Sequence, residues 1–290
     1  MATNDSTNLS INKLMIKAKN EIKKIGLFDD IFGQGKIKRY IKACRYYIKI
    51  SYLYEKNKDY SNAADILFNF ANKIKNLNLD HYRHNLYKSA FDYYDIYLDM
   101  ISGANLILLV LNKIKICTDE LQNIYRNESN FFAAGISCEN FGYVLEKNRY
   151  ANLALIKYKE ANSYYCKMAP RENEFPAIRC TTRIINILGH LQKFKLALEY
   201  LYKITPLCIA EDFSKRKISE LIMDTTICVI LISEPCKLPK FINIHEKNIL
   251  SLVKAANEKN YLKILSLSQL FPENSWQRKS LTNYSNKLID

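Results

Sequence analysis

The sequence predicts an all-α fold in which pairs of helices repeat along the chain. Three observations support this: the scarcity of helix breakers, the spacing of the apolar residues, and a motif that recurs at intervals of 41 to 50 residues. Only 7 glycines and 6 prolines occur among 290 residues, whereas sheets need many turns that contain Gly or Pro. The 48% of hydrophobic residues is enough for one large domain or for a repeat array with a continuous core.

A recurring motif marks the second helix of each predicted pair. It consists of Lys or Arg, then an aromatic residue, then an alanine that begins an apolar ladder with helical spacing. EKNKDYSNAADILFNFA begins at Glu55, EKNRYANLALIKYKEA at Glu146 and LQKFKLALEYLYKI at Leu191, and a weaker copy occupies residues 104–111. The four alanines are Ala63, Ala104, Ala154 and Ala197.

Another apolar ladder precedes each copy, with residues at i, i+3, i+4 and i+7 on one helical stripe. These ladders begin at Ala43, Leu86, Ala134 and Ala177. Tetratricopeptide-like solenoids are typically built from pairs of helices joined by a short turn, with a small alanine where the two axes approach closely. The sequence therefore predicts an all-α, right-handed superhelical array of tetratricopeptide-like helix pairs.

The repeat pattern ends near Ser214, which predicts two domains. Residues 1–214 form the array of helix pairs, and residues 215–290 form a C-terminal helical bundle that caps it. Pro235 and Pro239 end the first helix of this bundle, because a proline does not continue a helix.

Charge and composition limit the kinds of partner. The formal net charge of +14 favours anionic partners, although a Lys-rich composition with a merely solvated surface gives the same number. No basic run interleaved with Gly and aromatics indicates nucleic-acid binding. The N-terminus lacks the features of a signal peptide, and the apolar stretches at 105–111 and 227–232 are too short to span a membrane. These features predict a soluble, cytosolic protein.

No catalytic constellation occurs in the sequence. GQGK at 33–36 lacks the frame of a phosphate loop. His81 and His84 have a spacing compatible with a metal pair on a helix, but no Cys or carboxylate partner is near, so surface histidines are favoured. The 8 cysteines form no CxxC pair, which argues against a zinc knuckle or a disulfide framework. We predict no enzymatic activity, no cofactor and no metal.

Residues 25–36 read IGLFDDIFGQGK, in which large apolar residues surround two aspartates. Such a segment suits neither the middle of a buried helix nor an ordinary polar loop. An exposed apolar loop and an N-terminal helix staple are both compatible with it. The large apolar residues are Leu27, Phe28, Ile31 and Phe32.

A row of polar residues follows the apolar ladder that begins at Ala177. Arg179, Arg183, Asn186 and His190 are spaced i, i+4, i+7 and i+11. Two arginines four residues apart do not stabilise each other on a helix. The row suits binding to acidic side chains, and a solvated flank is the alternative.

These segments resemble the soluble NSF attachment proteins (SNAPs), in particular the alpha/beta branch. The resemblance is carried by AKNEIKKIGLFDDIFGQGKIKRYIKACRYY, YSNAADILFNFA and AIRCTTRIINILGHLQKFKLAL, and it runs from about Leu14 to Leu288. Trp276 also falls where the family carries a tryptophan. The order and spacing of these segments, more than any single motif, support the resemblance.

The resemblance implies an adaptor that does no chemistry. Members of the family bind assembled SNARE four-helix bundles, of syntaxin-like and other SNAREs, and recruit the hexameric AAA ATPase NSF, which disassembles them. The implied location is cytoplasmic, with peripheral attachment to membranes. Leu27, Phe28, Ile31 and Phe32 correspond to the loop that inserts into the membrane. Arg179 and Arg183 fall where the family has two basic residues facing the SNAREs, and Asn186 and His190 extend that row.

The C-terminal end is where the resemblance implies NSF binding, and here the chain departs from the family. The family's acidic surface becomes Lys254, Asn257 and Glu258 by position, with Glu246 and Glu234 as further contributors. The short acidic tail of the family is reduced to Leu288, Ile289 and Asp290, with Ile289 in place of a penultimate leucine. Gly135 stands where the family has a lysine.

Two other functions are compatible with the same architecture. A helical-repeat scaffold of the proteasome-lid or vesicle-coat type has the fold without SNARE binding. An RNA-binding helical repeat is suggested by net charge alone. Exposure of the basic row and of the apolar segment favours the adaptor, and burial of both favours the scaffold.

Overall fold

The computed structural model describes residues 2–24, 34–168, 170–211, 213–232 and 247–289. Within these ranges the chain forms thirteen α-helices and no strand, so the predicted all-α class is confirmed. The helices are α1 (Ala2–Lys23), α2 (Gln34–Lys56), α3 (Tyr60–Lys73), α4 (Asp80–Leu98), α5 (Ala104–Asn127), α6 (Phe131–Lys147), α7 (Ala151–Tyr165), α8 (Pro170–His190), α9 (Phe194–Ala210), α10 (Lys215–Ile232), α11 (Lys247–Asn257), α12 (Tyr261–Ser268) and α13 (Trp276–Lys287).

The chain divides into two compact units, Met1–Lys157 and Tyr158–Asp290. In the first unit the helices from α1 to α6 each pack on their neighbours in sequence. In the second unit α8 packs on α9 and α9 on α10, and α13 packs on α8, α10 and α12. The predicted domain boundary at residue 214 remains a prediction.

One turn geometry recurs after five helices and confirms the repetition of helical hairpins. The second residue past the helix has a positive φ of 52 to 68°, although none of the five is a glycine. The next residue donates its backbone N–H to a carbonyl five residues back at 2.8 or 2.9 Å, which satisfies the end of the helix as in a Schellman motif. The five residues with positive φ are Lys58, Ser129, Arg149, Gln192 and Lys259.

The alanines of the recurring motif lie in the core, with one exception. Ala63, Ala154 and Ala197 are completely buried, as expected where two helix axes approach closely. Ala104 is exposed at the start of α5, and Leu108 is 47% exposed, so the predicted ladder over 104–111 is wrong. The six residues LILLVL at 106–111 are all apolar, so periodicity alone does not select the face that packs. The buried apolar side chains of α5 are Val110, Leu111, Ile114, Cys117, Leu121 and Ile124.

A buried carboxylate joins three elements of the first unit. Glu120 on α5 is 6% exposed. Its Oε2 accepts from Arg83 Nη2 on α4 at 2.9 Å, and its Oε1 accepts from Lys75 Nζ, just after α3, at 2.5 Å. Arg83 also pairs with Asp80 at 2.7 Å. Both oxygens of Glu120 are therefore satisfied by cations from neighbouring elements of the array.

A second buried carboxylate lies where α13 packs on α10. Asp224 on α10 is 9% exposed, and Gln277 Nε2 on α13 donates to its Oδ1 at 2.9 Å. Burial raises the pKa of the Asp224 carboxyl to about 6, with the nearby Glu220 acting in the same direction and the hydrogen bond from Gln277 and the charge of Lys217 opposing it. The folded state therefore favours the neutral form of Asp224 more than the unfolded chain does.

We expect Asp224 to make the second unit more stable in mild acid. An acid whose pKa is raised by folding holds its proton more tightly when folded, so its contribution to stability grows as the pH falls through about 6 and is complete below its unfolded pKa. Between about pH 7.5 and about pH 5 the gain is about 1 kcal/mol. Urea unfolding at both pH values should show this gain in the wild type and lose it in Asp224→Asn. Asp119→Asn, in the first unit, should keep the wild-type pH dependence of the second unit, and an unchanged dependence in Asp224→Asn contradicts the assignment.

Candidate functional site

The predicted basic row lies on α8, and the structure places its members differently. Arg179, Arg183 and His190 are exposed, whereas Asn186 is half-buried. The opposite face of α8 is anchored in the core, where Ile184 is completely buried and Cys180 Sγ donates to the carbonyl of Tyr158 at 3.0 Å. A rigid helix therefore presents two arginines, one turn apart, at the surface of the second unit.

Asn186 forms a hydrogen bond with a buried tryptophan. Trp276 Nε1 on α13 donates to Asn186 Oδ1 at 3.3 Å, and the indole is 2% exposed. Its ring lies 6.2 Å from that of Phe194, between centroids. Asn186 thus positions α13 against α8, and its side-chain oxygen is engaged within the protein.

The indole of Trp276 also sits directly on the backbone of α8 at Gly189. A Cβ added at Gly189 would lie 2.4 Å from Trp276 Cδ2, so only glycine leaves room for the ring. The sequence alone does not indicate this contact, because 90 residues separate the two hydrogen-bonded partners, Asn186 and Trp276. A glycine inside a helix was the available signal, since it costs stability unless close packing requires it.

His190 borders a cleft between α8 and the last two helices. The cleft has a volume of about 520 Å³, and its lining includes Glu273, Arg278, Lys279 and Asn283. Charges of both signs line this cleft, in contrast to the purely basic pair of Arg179 and Arg183. The four residues predicted as one surface therefore lie in three settings. The two arginines are exposed as a pair, Asn186 packs against Trp276, and His190 borders the cleft.

Of the residues predicted to bind the ATPase, the three that the structure describes lie at two separate helix ends. Glu258 follows α11 and is exposed, and its carboxylate is 3.8 Å from Lys254 Nζ. Leu288 follows α13 and is half-buried, and Ile289 is 60% exposed. Lys254 partly neutralises the local negative charge. The other two predicted residues, Glu234 and Glu246, lie outside the described residues.

The predicted membrane-loop residues, Leu27, Phe28, Ile31 and Phe32, also lie outside the described residues. The structure describes α1 up to its last residue, Lys23, and α2 from its first, Gln34. None of the described helices is both long and apolar enough to cross a membrane. The role of the loop therefore stays a prediction.

Of the two histidines spaced as a metal pair, His84 has a packing role and His81 is exposed. His84 Nε2 lies 2.6 Å from the hydroxyl of Tyr125 on α5, so this histidine links α4 to α5. Among the described residues, no group of three or more His, Cys, Asp or Glu side chains is placed to hold a metal ion.

The match to one family model agrees with the resemblance found in the sequence. The chain matches the family model described as "Soluble NSF attachment protein, SNAP" over residues 10–269. No curated protein matches it. Among solved structures, a signal transduction ATPase with numerous domains and a tetratricopeptide repeat sensor, from Pyrococcus horikoshii, is similar over 99% of this chain, with 14% identity and a TM-score of 0.44. The chain spans 42% of the length of that structure. Because the family model covers nearly the whole chain, the chain belongs to the soluble NSF attachment protein (SNAP) family.

Proposed function

We propose that this protein is an adaptor that binds assembled SNARE complexes and recruits an NSF-type AAA ATPase for their disassembly during vesicle fusion. The observation that carries this proposal is the match to the family model over residues 10–269. The protein does no chemistry of its own in this role. It binds one partner, presents it to the ATPase and is then released.

The exposed arginines of α8 form the proposed SNARE-binding surface. Arg179 and Arg183 lie one turn apart on a helix whose other face is buried, and such a pair suits the carboxylates on the outside of a SNARE four-helix bundle. Charge complementarity of this kind speeds docking and weakens as salt is added. His190, at the edge of the cleft, is a peripheral contact, whereas Asn186 supports the surface from within by holding Trp276.

Reversing both charges should weaken binding of the assembled SNARE bundle. In Arg179→Glu/Arg183→Glu we expect a loss of at least about tenfold in affinity, since removing a contact with a charged group costs about 1.5–3 kcal/mol. The loss should shrink at high salt. Titration of a labelled soluble SNARE complex measures it.

A matched control makes the same change of charge on α9. Lys195 and Lys203 are both exposed, and Lys195→Glu/Lys203→Glu should change the affinity by less than the α8 variant at every salt concentration. Equal losses in the two variants would show that net charge alone sets the affinity, and would contradict a binding surface on α8.

The proposed role also includes membrane attachment. The protein is proposed to be cytoplasmic and to bind peripherally to membrane surfaces. Leu27, Phe28, Ile31 and Phe32 are the proposed inserting residues. Burial of one large apolar side chain is worth about 1.5–3 kcal/mol. Four such residues beside two aspartates give a reversible attachment, which suits an adaptor that is used repeatedly.

The proposed contact with the ATPase is the C-terminal end of the chain. Glu258, Glu246 and Glu234 supply negative charge, and Leu288 and Ile289 supply an apolar contact. The high exposure of Ile289, at 60%, leaves its side chain accessible to a partner.

A further inference from the structure

Helix α2 carries a continuous line of positive charge along one face. Five basic residues and a tyrosine follow the spacing i, i+4, i+7, i+11, i+14 and i+18, and all six are exposed. At 3.6 residues per turn they fall within an arc of about 80° and extend over about 27 Å. We call the five basic residues, which are Lys38, Lys42, Arg45, Lys49 and Lys56, the α2 basic row.

The other face of α2 is fixed in the core, so the orientation of the α2 basic row is set by packing. Ala43 and Ile50 are completely buried, and the ring of Tyr47 stacks on that of Phe70 with centroids 4.1 Å apart. Tyr52 lies within the line of charge, and Lys56 Nζ sits 4.8 Å from the centre of its ring.

The charges of the α2 basic row are not balanced by the protein. In the part of the chain that the structure describes, none of its members forms an ion pair. Nearby carboxylates are engaged elsewhere, because Glu21 pairs with Arg39 at 3.9 Å and Glu55 accepts from the hydroxyl of Tyr93 at 2.8 Å.

Other lysines of the first unit do have carboxylate partners. Those with an Asp or Glu within 4.0 Å include Lys75, Lys113, Lys115, Lys147 and Lys157. Like charges one turn apart destabilise a helix by about 0.2–0.5 kcal/mol per pair, so the α2 basic row does not stabilise the fold.

The location of the α2 basic row points to a membrane. The row begins five residues after the segment 25–33, which carries the four proposed inserting residues, and the first 56 residues hold twelve basic and five acidic side chains. Half of the net charge of +14 therefore lies in less than a fifth of the chain. A leaflet with anionic lipids offers a flat negative surface that a straight row on one helix can touch along its whole length, and clusters of four to eight basic residues on a helix are typical of such binding.

We propose that the α2 basic row binds the headgroups of anionic phospholipids on the membrane that the apolar segment enters, an inference that rests on the proposed function. The apolar segment provides attachment to any bilayer, and the row makes that attachment depend on lipid charge. Tyr52, an amphipathic ring between Lys49 and Lys56 in the line, suits the level of the headgroups.

Vesicle binding by the full chain tests this proposal. Partition coefficients are measured on phosphatidylcholine vesicles with and without about 30% phosphatidylserine. Phosphatidylserine should increase binding of the wild type, and Lys42→Gln/Arg45→Gln/Lys49→Gln should reduce this increase by about 100-fold, at about fivefold per cation. The variant should bind neutral vesicles as the wild type does.

The control removes three charges from the second unit. Lys195, Lys203 and Lys279 are exposed on helices, and Lys195→Gln/Lys203→Gln/Lys279→Gln should keep most of the increase. Equal losses in both triple variants, or no effect of phosphatidylserine on the wild type, overturn the proposal. A loss of SNARE-bundle affinity in the α2 variant, with vesicle binding unchanged, overturns it in favour of an acidic protein partner.

A loop variant separates the two membrane contributions. Phe28→Ser/Phe32→Ser should lose binding to neutral vesicles and keep a response to phosphatidylserine. If it binds neutral vesicles as strongly as the wild type, the proposed insertion is contradicted, while the comparison of the two triple variants still decides the role of the α2 basic row.

Discussion

Replacement of Trp276 by alanine is expected to lower the free energy of unfolding of the second unit by about 3–5 kcal/mol. The indole is 2% exposed and joins α13 to α8 through Asn186 and Gly189. Its removal leaves a cavity and also leaves the half-buried Asn186 without its donor. Urea unfolding followed by circular dichroism measures the loss. A cost below about 1 kcal/mol, as for an ordinary surface substitution, contradicts the role of Trp276 as the clamp between α8 and α13.

A double-mutant cycle tests the clamp without relying on one variant. Gly189→Ala alone should cost about 1–3 kcal/mol, because its Cβ would lie 2.4 Å from the indole and the ring has to move. In the Trp276→Ala background the same substitution should be neutral or should stabilise by up to about 1 kcal/mol, since alanine is the better helix former. The same cost in both backgrounds would contradict the contact.

The second large effect is expected at Glu120. Glu120→Gln keeps the volume of the side chain but leaves Arg83, which is 9% exposed, without its buried anion. Breaking a buried pair by removal of one partner typically costs about 3–5 kcal/mol. Because Arg83 keeps its contact with Asp80, we expect a loss of about 3 kcal/mol. The unfolding transition of the first unit measures it.

The adjacent residue supplies the control. Asp119 pairs with Lys115 at 2.8 Å and with Lys157 at 3.7 Å, and its own side chain is 39% exposed, so Asp119→Asn should cost about 1 kcal/mol, well below the loss at Glu120. Replacement of both buried partners, in Arg83→Met/Glu120→Leu, should recover much of the stability lost in Glu120→Gln. Similar losses at positions 119 and 120 would show that burial does not govern this network.

The local rules of helix formation were readable in the sequence. The motif alanines Ala63, Ala154 and Ala197 are buried as expected, because a small residue is required wherever two helices approach closely. The long apolar stretch in α5 was misread, since periodicity selects no face when the six consecutive residues 106–111 are all apolar. The recurrent turns were visible only as polar breaks between helices, because their positive φ values fall on Lys, Ser, Arg and Gln rather than on Gly.

The candidate site was harder to predict than the fold. Helical spacing correctly placed Arg179 and Arg183 at the surface, but it assigned Asn186 to the same surface. Only the tertiary structure shows that a tryptophan 90 residues away takes the Asn186 oxygen. Spacing reports which residues share one side of a helix, and it carries no information about which of them a distant helix will cover.

The two basic surfaces have different proposed tasks. The arginine pair on α8 lies in the second unit and is proposed to bind the SNARE bundle. The α2 basic row lies in the first unit, soon after the apolar segment in the sequence, and is proposed to bind lipid. Each is carried by a helix whose opposite face is buried, so both present their charges on a fixed scaffold.

The most direct test of the proposed function is disassembly of a SNARE complex by NSF and ATP with this protein as the only adaptor. Complexes are anchored in liposomes, and a fluorescence signal reports their separation. We predict that disassembly depends on this protein. In Phe28→Ser/Phe32→Ser it should be lost on liposomes but kept with soluble SNAREs. In Arg179→Glu/Arg183→Glu it should be reduced in both settings. Absence of both binding and disassembly with the wild type would contradict the adaptor function.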